Sequence, residues 1–328
     1  MKSILITGAC GFIGHHLVEY LLEKTDWKIQ IVDKLSYASK GFQRLREIGA
    51  FHHPRVHIYT YDLVRPIDEA FIEELQDTDF IVHLAAETHV DNSILQPSYC
   101  IENNVLSTVQ ILELARKLKK LEKFLYFSTD EVYGPALGDC MYTEADRHRP
   151  TNPYSASKSA SEAICYAYEN TYKVPIMICN TMNVFGERQH IEKYIPICIR
   201  NILHNIPITV HSYPGCTKAG SRFYIYAKNV ASAIAFLLEH GVVGESYNIP
   251  GEKELDNLEI PTFIANYLHK KPICNLIDFH SKRPGHDLRY GLDGSKLMQL
   301  GWKPEGDVMV ALQKTIEWTV NHPVWLKE

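Results

Sequence analysis

Through the first half of the chain, short runs of aliphatic and β-branched residues alternate with longer stretches whose apolar positions recur every three to four residues. The runs Ser3–Thr7, Lys28–Asp33, Val56–Asp62, Phe80–Leu84, Phe124–Ser128 and Pro175–Asn180 predict strands. The segments His15–Lys24, Ile67–Gln76, Ser98–Lys119 and Pro153–Lys173 predict the helices that cross between them. That order gives a parallel sheet covered by helices, so the expected fold class is α/β, a Rossmann-type doubly wound parallel sheet. Beyond about residue 180, Pro196, Pro207, Pro214-Gly215, Gly220, Pro250-Gly251, Pro261, Pro272 and Pro284-Gly285 break the rhythm and predict a smaller C-terminal lobe. Phe223–Ile225 and Val230–Leu238 still read as a strand and a helix. The expected division is therefore 1–180 for the sheet domain, with 223–248 returning to it, and 181–328 mainly for an interleaved substrate lobe.

Composition narrows the class without changing this picture. The chain has 328 residues, 45% hydrophobic and 22% charged, which excludes a disordered chain and a disulfide-built miniprotein. Its net charge of -5 offers no broad attraction to nucleic acid or to an anionic membrane. Eight cysteines are scattered without a Cys-x-x-Cys pair, the usage of reduced thiols inside a cell. Met1-Lys2-Ser3 runs directly into Ile4-Leu5-Ile6 and glycine, too short for an export signal, and no run approaches the ~18 apolar residues of a membrane span. A cytoplasmic protein with no membrane segment is expected. No acid-supported cluster occurs among the 16 histidines, so no metal is expected, and His15-His16 and His52-His53 read as exposed pairs.

Gly8, Gly11 and Gly14 lie at a first strand-to-helix junction, and Asp33 ends the next strand. Glycines there permit a tight turn and close backbone approach to a pyrophosphate, and the helix N-terminus supplies amide donors. An acid at Asp33 accepts from a ribose and repels a 2′-phosphate, which favours NAD over NADP. Asp62, with Leu63 beside it, ends the third strand, where an adenine amino group would be met. Tyr154 and Lys158 are one helical turn apart. An ammonium near the phenol lowers its pKa and makes Tyr154 a base. Thr129-Asp130-Glu131 follows a predicted strand at the carboxyl edge, and two adjacent carboxylates suit acid–base work when their surroundings push their pKa values apart.

The chain resembles the extended short-chain dehydrogenase/reductases, and within them the nucleoside-diphosphate-glucose 4,6-dehydratases. The glycine turn, Val32 to Ala38, His83 to Asp91, Ser128 to Gly134, Pro153-Tyr154 with Lys158, Asn183 to Gly186, Glu192-Lys193 and Arg283 to Tyr290 carry the resemblance. It implies that NAD is held by Gly8, Gly11, Phe12, Ile13, Gly14, Asp33, Lys34, Asp62, Leu63, Leu84, Ala85 and Ala86, together with Tyr154 and Lys158. It implies catalysis by Thr129, Asp130, Glu131, Tyr154 and Lys158. Tyr154 would deprotonate the sugar 4-hydroxyl as NAD takes hydride from C4; Glu131 would remove the C5 proton, Asp130 protonate the departing 6-hydroxyl, and hydride return to C6. Thr88, Asn183, Glu192, Lys193, Arg222, Arg283 and His286 would hold the substrate, a nucleoside-diphosphate hexose such as dTDP- or UDP-glucose or UDP-N-acetylglucosamine. Helices Ser98–Lys119 and Pro153–Lys173, with spare apolar positions including Val105, Leu112 and Ile164, would pair as a four-helix bundle in a homodimer. A 4-epimerase or decarboxylase of the same fold, for which Tyr154 and Lys158 suffice, and a dehydratase that also epimerises C5 stand beside this reading, as does a non-catalytic dinucleotide sensor.

Overall fold

Five consecutive buried residues make β1 (Ser3–Thr7) a central strand with neighbours on both edges. In the computed structural model, which describes residues 1–278 and 289–327, β1 pairs in parallel with β2 (Lys28–Asp33) and with β4 (Phe80–His83). β3 (Val56–Thr60), β5 (Lys123–Thr129), β6 (Ile176–Thr181) and β10 (Ser246–Ile249) complete a seven-stranded sheet in the order β10-β6-β5-β4-β1-β2-β3. The order reverses between β1 and β4. At such a switch point the loops leaving the carboxyl ends part and open a crevice.

Helix α1 (Phe12–Lys24) and α8 (Ala227–His240) cover one face of this sheet, packed on each other. α5 (Pro97–Lys117) and α6 (Pro153–Tyr172) cover the other. α1 packs along α8 and meets the chain at Glu187, where His16 Nε2 lies 3.2 Å from Glu187 O, so it has little outer surface. His15 and His16 are therefore buried, at 0% and 1% exposure, which corrects the expectation of an exposed pair. Leu112 is buried in the core beneath α5 rather than spare on its surface.

The region from Ser98 to Lys119 also differs from its prediction. A short helix, α4 (Val90–Leu95), precedes α5, and the chain breaks at Gln96 because Pro97 starts a new helix and cannot continue an old one. Beyond β6, a three-stranded sheet forms from β7 (Asn183–Phe185), β9 (Ser221–Tyr226) and β11 (Lys253–Asp256). The strand containing Phe223 thus joins the small sheet, and it is α8 with β10 that returns to the large one. A second core lies between α7 (Tyr194–His204), α9 (Glu259–Tyr267) and the helix Val308–Asn321, with Ile199, Ile264 and Ile316 fully buried. β8 (Ile208–Ser212) pairs with β12 (Cys274–Asp278) at its edge. Among the described residues no helix is long and apolar enough to cross a membrane, and all eight cysteines are free.

Candidate active site

A cavity of about 350 Å³ runs along the carboxyl ends of β1, β2, β4, β5 and β6 and into the opening of the second lobe. Its deep end is built by the three glycines. Gly8 stands at φ +71°, and a Cβ there would lie 2.8 Å from the Ala85 backbone. One on Gly14 would lie 2.5 Å from both Ala9 Cα and Gly8 O. The turn closes this tightly only without side chains. Gly11 gives α1 no side-chain cap, and with Phe12, Ile13 and Gly14 it lines the cavity, so the amides and positive dipole end of α1 meet whatever anion enters.

Asp33 is fixed beside this turn. Its Oδ2 accepts from Cys10 N at 2.9 Å and its Oδ1 from Leu35 N at 2.8 Å. Each oxygen keeps acceptor capacity, which suits a ribose diol and opposes a 2′-phosphate. Burial pushes this carboxyl above its ordinary value, and the two backbone donors pull it back. Lys34 lines the cavity beside it. Its Nζ donates to Asn103 Oδ1 at 2.6 Å and pairs with Glu87 at 3.2 Å. Asp62, Leu63, Leu84, Ala85 and Ala86 line the cavity, with Ala85 N held by Thr7 Oγ1 at 3.1 Å. Glycine cradle, helix amides and Asp33 together fit NAD.

The chain turns sharply where β5 ends. Thr129 Oγ1 accepts from Glu131 N at 3.4 Å and donates to Asp130 Oδ1 at 3.0 Å, and this cap folds Asp130–Tyr133 into a single tight turn. Asp130 falls beneath the turn at 4% exposure, and its Oδ2 has no partner among the described residues. Burial first, then the Glu131 charge, pushes the Asp130 carboxyl up to about 8. Glu131 lies on the outer side. Its Oε2 accepts from Asn152 Nδ2 at 3.0 Å, with Tyr290 Oη at 3.5 Å. Asn152 also caps α6, its Oδ1 accepting from Ser155 N at 2.9 Å while Ser155 Oγ accepts from Asn152 N at 3.2 Å. One residue thereby starts the helix that carries Tyr154 and steadies Glu131.

Tyr154 is buried at 8% exposure against this turn. The spacing predicts that Lys158 lowers its phenol, but the phenol is held above its ordinary value, by burial first and then by Glu131. Thr129 pulls the other way by hydrogen bonding to it. The Lys158 ammonium instead donates to Phe127 O at 2.6 Å and lies 4.2 Å from the centre of the Tyr126 ring. Burial brings it down to about 8 against the opposing pull of Glu162. Glu162 continues the face of Tyr154 and Lys158, yet sequence reasoning missed it. It is 1% exposed, accepts from Ser128 Oγ and from Asn180 Nδ2 at 2.9 Å, and is pushed up to about 7 by burial. The four-residue step from Lys158 is the signal that would have found it.

Of the expected substrate residues, Thr88, Asn183, Glu192 and Lys193 line the cavity. Glu192 accepts from Tyr37 Oη at 3.1 Å, and Tyr37 in turn accepts from Asn92 Nδ2 at 3.0 Å. Arg222 is buried on β9, 4.9 Å from the centre of the Tyr290 ring and donating to Ser221 O at 2.8 Å. Its charge acts on Asp130. Arg283 and His286 lie outside the described residues. Among the described residues no group of three or more His, Cys, Asp or Glu side chains is arranged to hold a metal ion.

Comparison with known proteins places this geometry. Residues 4–250 match the profile of the NAD dependent epimerase/dehydratase family. The chain is 36% identical to the dTDP-glucose 4,6-dehydratase of Haemophilus influenzae over 340 residues, covering 97% of this chain and 98% of that one. It is 34% identical over 328 residues to a trifunctional UDP-glucose 4,6-dehydratase/UDP-4-keto-6-deoxy-D-glucose 3,5-epimerase/UDP-4-keto-L-rhamnose-reductase of Arabidopsis thaliana, covering 99% of this chain and 48% of that protein. Among solved structures it superimposes with TM-score 0.89 and 32% identity on DesIV, a dTDP-glucose 4,6-dehydratase of Streptomyces venezuelae with NAD and TYD bound, covering 99% of this chain and 100% of that one.

Proposed function

This chain belongs to the NAD dependent epimerase/dehydratase family, and from its site we propose that it is an NAD-dependent nucleotide-sugar 4,6-dehydratase, converting a nucleoside-diphosphate hexose to the 4-keto-6-deoxy sugar. The observation that supports this reading best is the unequal carboxyl pair. Asp130 is buried and held protonated at neutral pH, while Glu131 beside it is bound by an amide donor. Elimination of water across C5 and C6 needs one acid and one base at the same moment. Epimerisation at C4 needs neither.

NAD, held by the glycine turn, Asp33, Asp62-Leu63 and Leu84 to Ala86, supplies a reversible hydride acceptor and, when oxidised, a positive ring. Tyr154 takes the proton of the sugar 4-hydroxyl. Burial and the neighbouring carboxyls hold its phenol up, so its ionised form depends on positive charge within the pocket, of which the buried Lys158 supplies part. The 4-ketone acidifies the C5 hydrogen, Glu131 removes it, and Asp130 gives its proton to the departing 6-hydroxyl. Glu131, which exchanges its proton with solvent while the enone stands, then delivers a solvent-derived proton to C5. One cycle leaves Tyr154 with an extra proton and Asp130 without one. Thr129, donating to Asp130 at 3.0 Å and adjoining the phenol, is placed to pass that proton between them.

Thr88, Asn183, Glu192 and Lys193 are assigned to the sugar and diphosphate. Residues 1–180 with the returning α8 and β10 form the dinucleotide-binding unit, and the rest of 181–328 the substrate lobe. The outward residues Ile101, Leu106, Tyr166 and Tyr172 of α5 and α6 are exposed, and we assign them to a homodimer contact in a four-helix bundle. Eight free thiols support a cytoplasmic setting.

The test is incubation of the purified protein with dTDP-glucose, UDP-glucose and UDP-N-acetylglucosamine in heavy water. Loss of one water with deuterium at C5 in at least one product, read by mass and proton NMR, is the expected result. Formation of the C4 epimer alone, or no water loss from any of the three, overturns the reading.

A further inference from the structure

Arg44 belongs to no motif and lies in a short helix, α2 (Gln43–Glu47), yet it is fully buried at 0% exposure. Its Nη1 donates to Ala38 O at 2.8 Å, Ser39 O at 3.0 Å and Cys10 O at 3.1 Å, and its Nε donates to Arg188 O at 3.0 Å. Those four carbonyls belong to three separate segments. Cys10 is inside the glycine turn, with its own N–H on Asp33. Ala38 and Ser39 line the cavity after β2, and Arg188 precedes Gln189 and His190, which line it from the second lobe.

The flat face of the guanidinium is covered by Trp325, 4.9 Å away at the ring centre and 1% exposed. Trp325 comes from the C-terminal turn Pro323–Leu326, and Glu47 fastens it. Both Glu47 oxygens accept from Trp325 Nε1 at 3.2 Å, and Oε2 accepts from Arg188 Nε at 2.9 Å. Arg44 Nη2 has no partner among the described residues. A cation buried this deeply on neutral carbonyls, with one amine unsatisfied, is a costly way to stabilise a fold. Its fork geometry, however, joins three chain segments at fixed spacing, which a lysine cannot do.

We infer that Arg44, backed by Trp325, is a positioning residue for NAD: it fixes the relative placement of the three wall segments around the adenosine diphosphate end, so that binding does not have to order them. The inference rests on the NAD chemistry of the family. Ordering those segments at the moment of binding would be subtracted from affinity. The C-terminal turn, distant in sequence and outside the cavity wall, thereby takes part in cofactor binding.

The test measures NAD and UDP affinity by calorimetry for the full chain and for Arg44→Met, Arg44→Lys and Trp325→Ala, each checked for native circular dichroism. The expected result is an NAD Kd at least tenfold weaker in Arg44→Met, incompletely rescued in Arg44→Lys, and several-fold weaker in Trp325→Ala. UDP affinity stays within twofold, and the NAD-induced rise in Tm shrinks in the same order. If Arg44→Met does not fold, Trp325→Ala carries the test, because it leaves the four carbonyl bonds in place. An NAD Kd within twofold of wild type in either folded Met or Ala variant, or equal weakening of NAD and UDP, overturns the inference. A wild-type protein that binds NAD but eliminates no water overturns the proposed reaction and leaves this inference standing.

Discussion

The burial that keeps Asp130 protonated for its proposed role as the acid must also cost stability, and Asp130→Asn separates the two effects. An aspartate in an unfolded chain ionises near about 3.9, whereas Asp130 in the folded protein is pushed up to about 8. Between those values the folded state holds a proton that the unfolded state releases, so stability falls as pH rises through the window. Below the window both states are protonated and nothing is lost; above it the full penalty is present. With about 1.4 kcal/mol for each pH unit above the unfolded value, the penalty at pH 7 is on the order of 4 kcal/mol. Asparagine matches the shape of the protonated acid and cannot ionise. It removes the penalty but leaves an amide where Oδ2 already lacks a partner, at a cost of about 1–3 kcal/mol. The variant should therefore be more stable than wild type at pH 7 by about 1–3 kcal/mol, a rise in Tm of roughly 1–4 °C for a chain of this length. The decisive quantity is the trend, because the cost of the amide does not vary with pH. Calorimetric unfolding of both proteins at pH 5, 6, 7, 8 and 9, with NAD at a fixed saturating concentration, should show the difference growing up to about pH 8 and then levelling. A constant difference across the series, or a wild type that gains on the variant as pH rises, refutes the buried-acid reasoning.

Three further outcomes are expected. Glu131→Gln should retain NAD and substrate affinity and lose about 10²- to 10⁴-fold in 4-keto-6-deoxy product, followed by its absorbance in alkali; undiminished turnover contradicts its role as the C5 base. In Asp33→Asn one carboxylate oxygen becomes a donor facing Cys10 N or Leu35 N, so the NAD Kd should rise at least tenfold while the preference for NAD over NADP narrows. Fluorescence titration with both dinucleotides checks this, and an unchanged ratio counts against the ribose assignment. Gly14→Ala places a Cβ 2.5 Å from two backbone atoms, with a destabilisation of more than about 2 kcal/mol, seen as a Tm lower by several degrees.

Chain periodicity made the first six large-sheet strands legible: the inner ones are buried on both faces and carry their own apolar record, and the half-exposed edge strand β3 shows through its β-branched and aromatic residues. Their ends were less so. Val56–Asp62 reads as one run, yet β3 stops at Thr60, since Asp62 and Leu63 bend toward the cavity. His15 and His16 read as surface residues because nothing local records that α8 packs along α1. Arg44 and Trp325 were invisible for the same reason: neither sits in a periodic pattern, and each has meaning only through the other and through carbonyls of remote segments. Arg222, assigned to phosphate through resemblance, also packs on the Tyr290 ring, a contact that no spacing records. Spacing placed Lys158 on the face of Tyr154, but a face is not an atom, and Phe127 O takes the ammonium.

The same distinction governs the two carboxyls. Adjacent acids after a strand announce acid–base chemistry, but side-chain identity alone cannot assign which acid is protonated. That assignment follows from the backbone. Thr129 caps the turn and donates to Asp130, which draws Asp130 beneath it and out of water. Glu131, one residue on, is carried to the opposite side, within reach of Asn152 Nδ2. Asn152 is present there only because it caps the helix of Tyr154. Asp130 is thereby held up by burial and by the Glu131 charge, and a substitution at Asn152 should shift the pH profile of elimination without touching a reacting group. Asn152→Asp is that substitution. It preserves the α6 cap, for which aspartate serves as well as asparagine, and replaces the Glu131 donor with a like charge, which disfavours ionised Glu131. The acidic limb of the rate profile should therefore move to higher pH while α6 remains intact by circular dichroism. An unmoved limb would mean that Glu131 owes its ionised state to something other than Asn152.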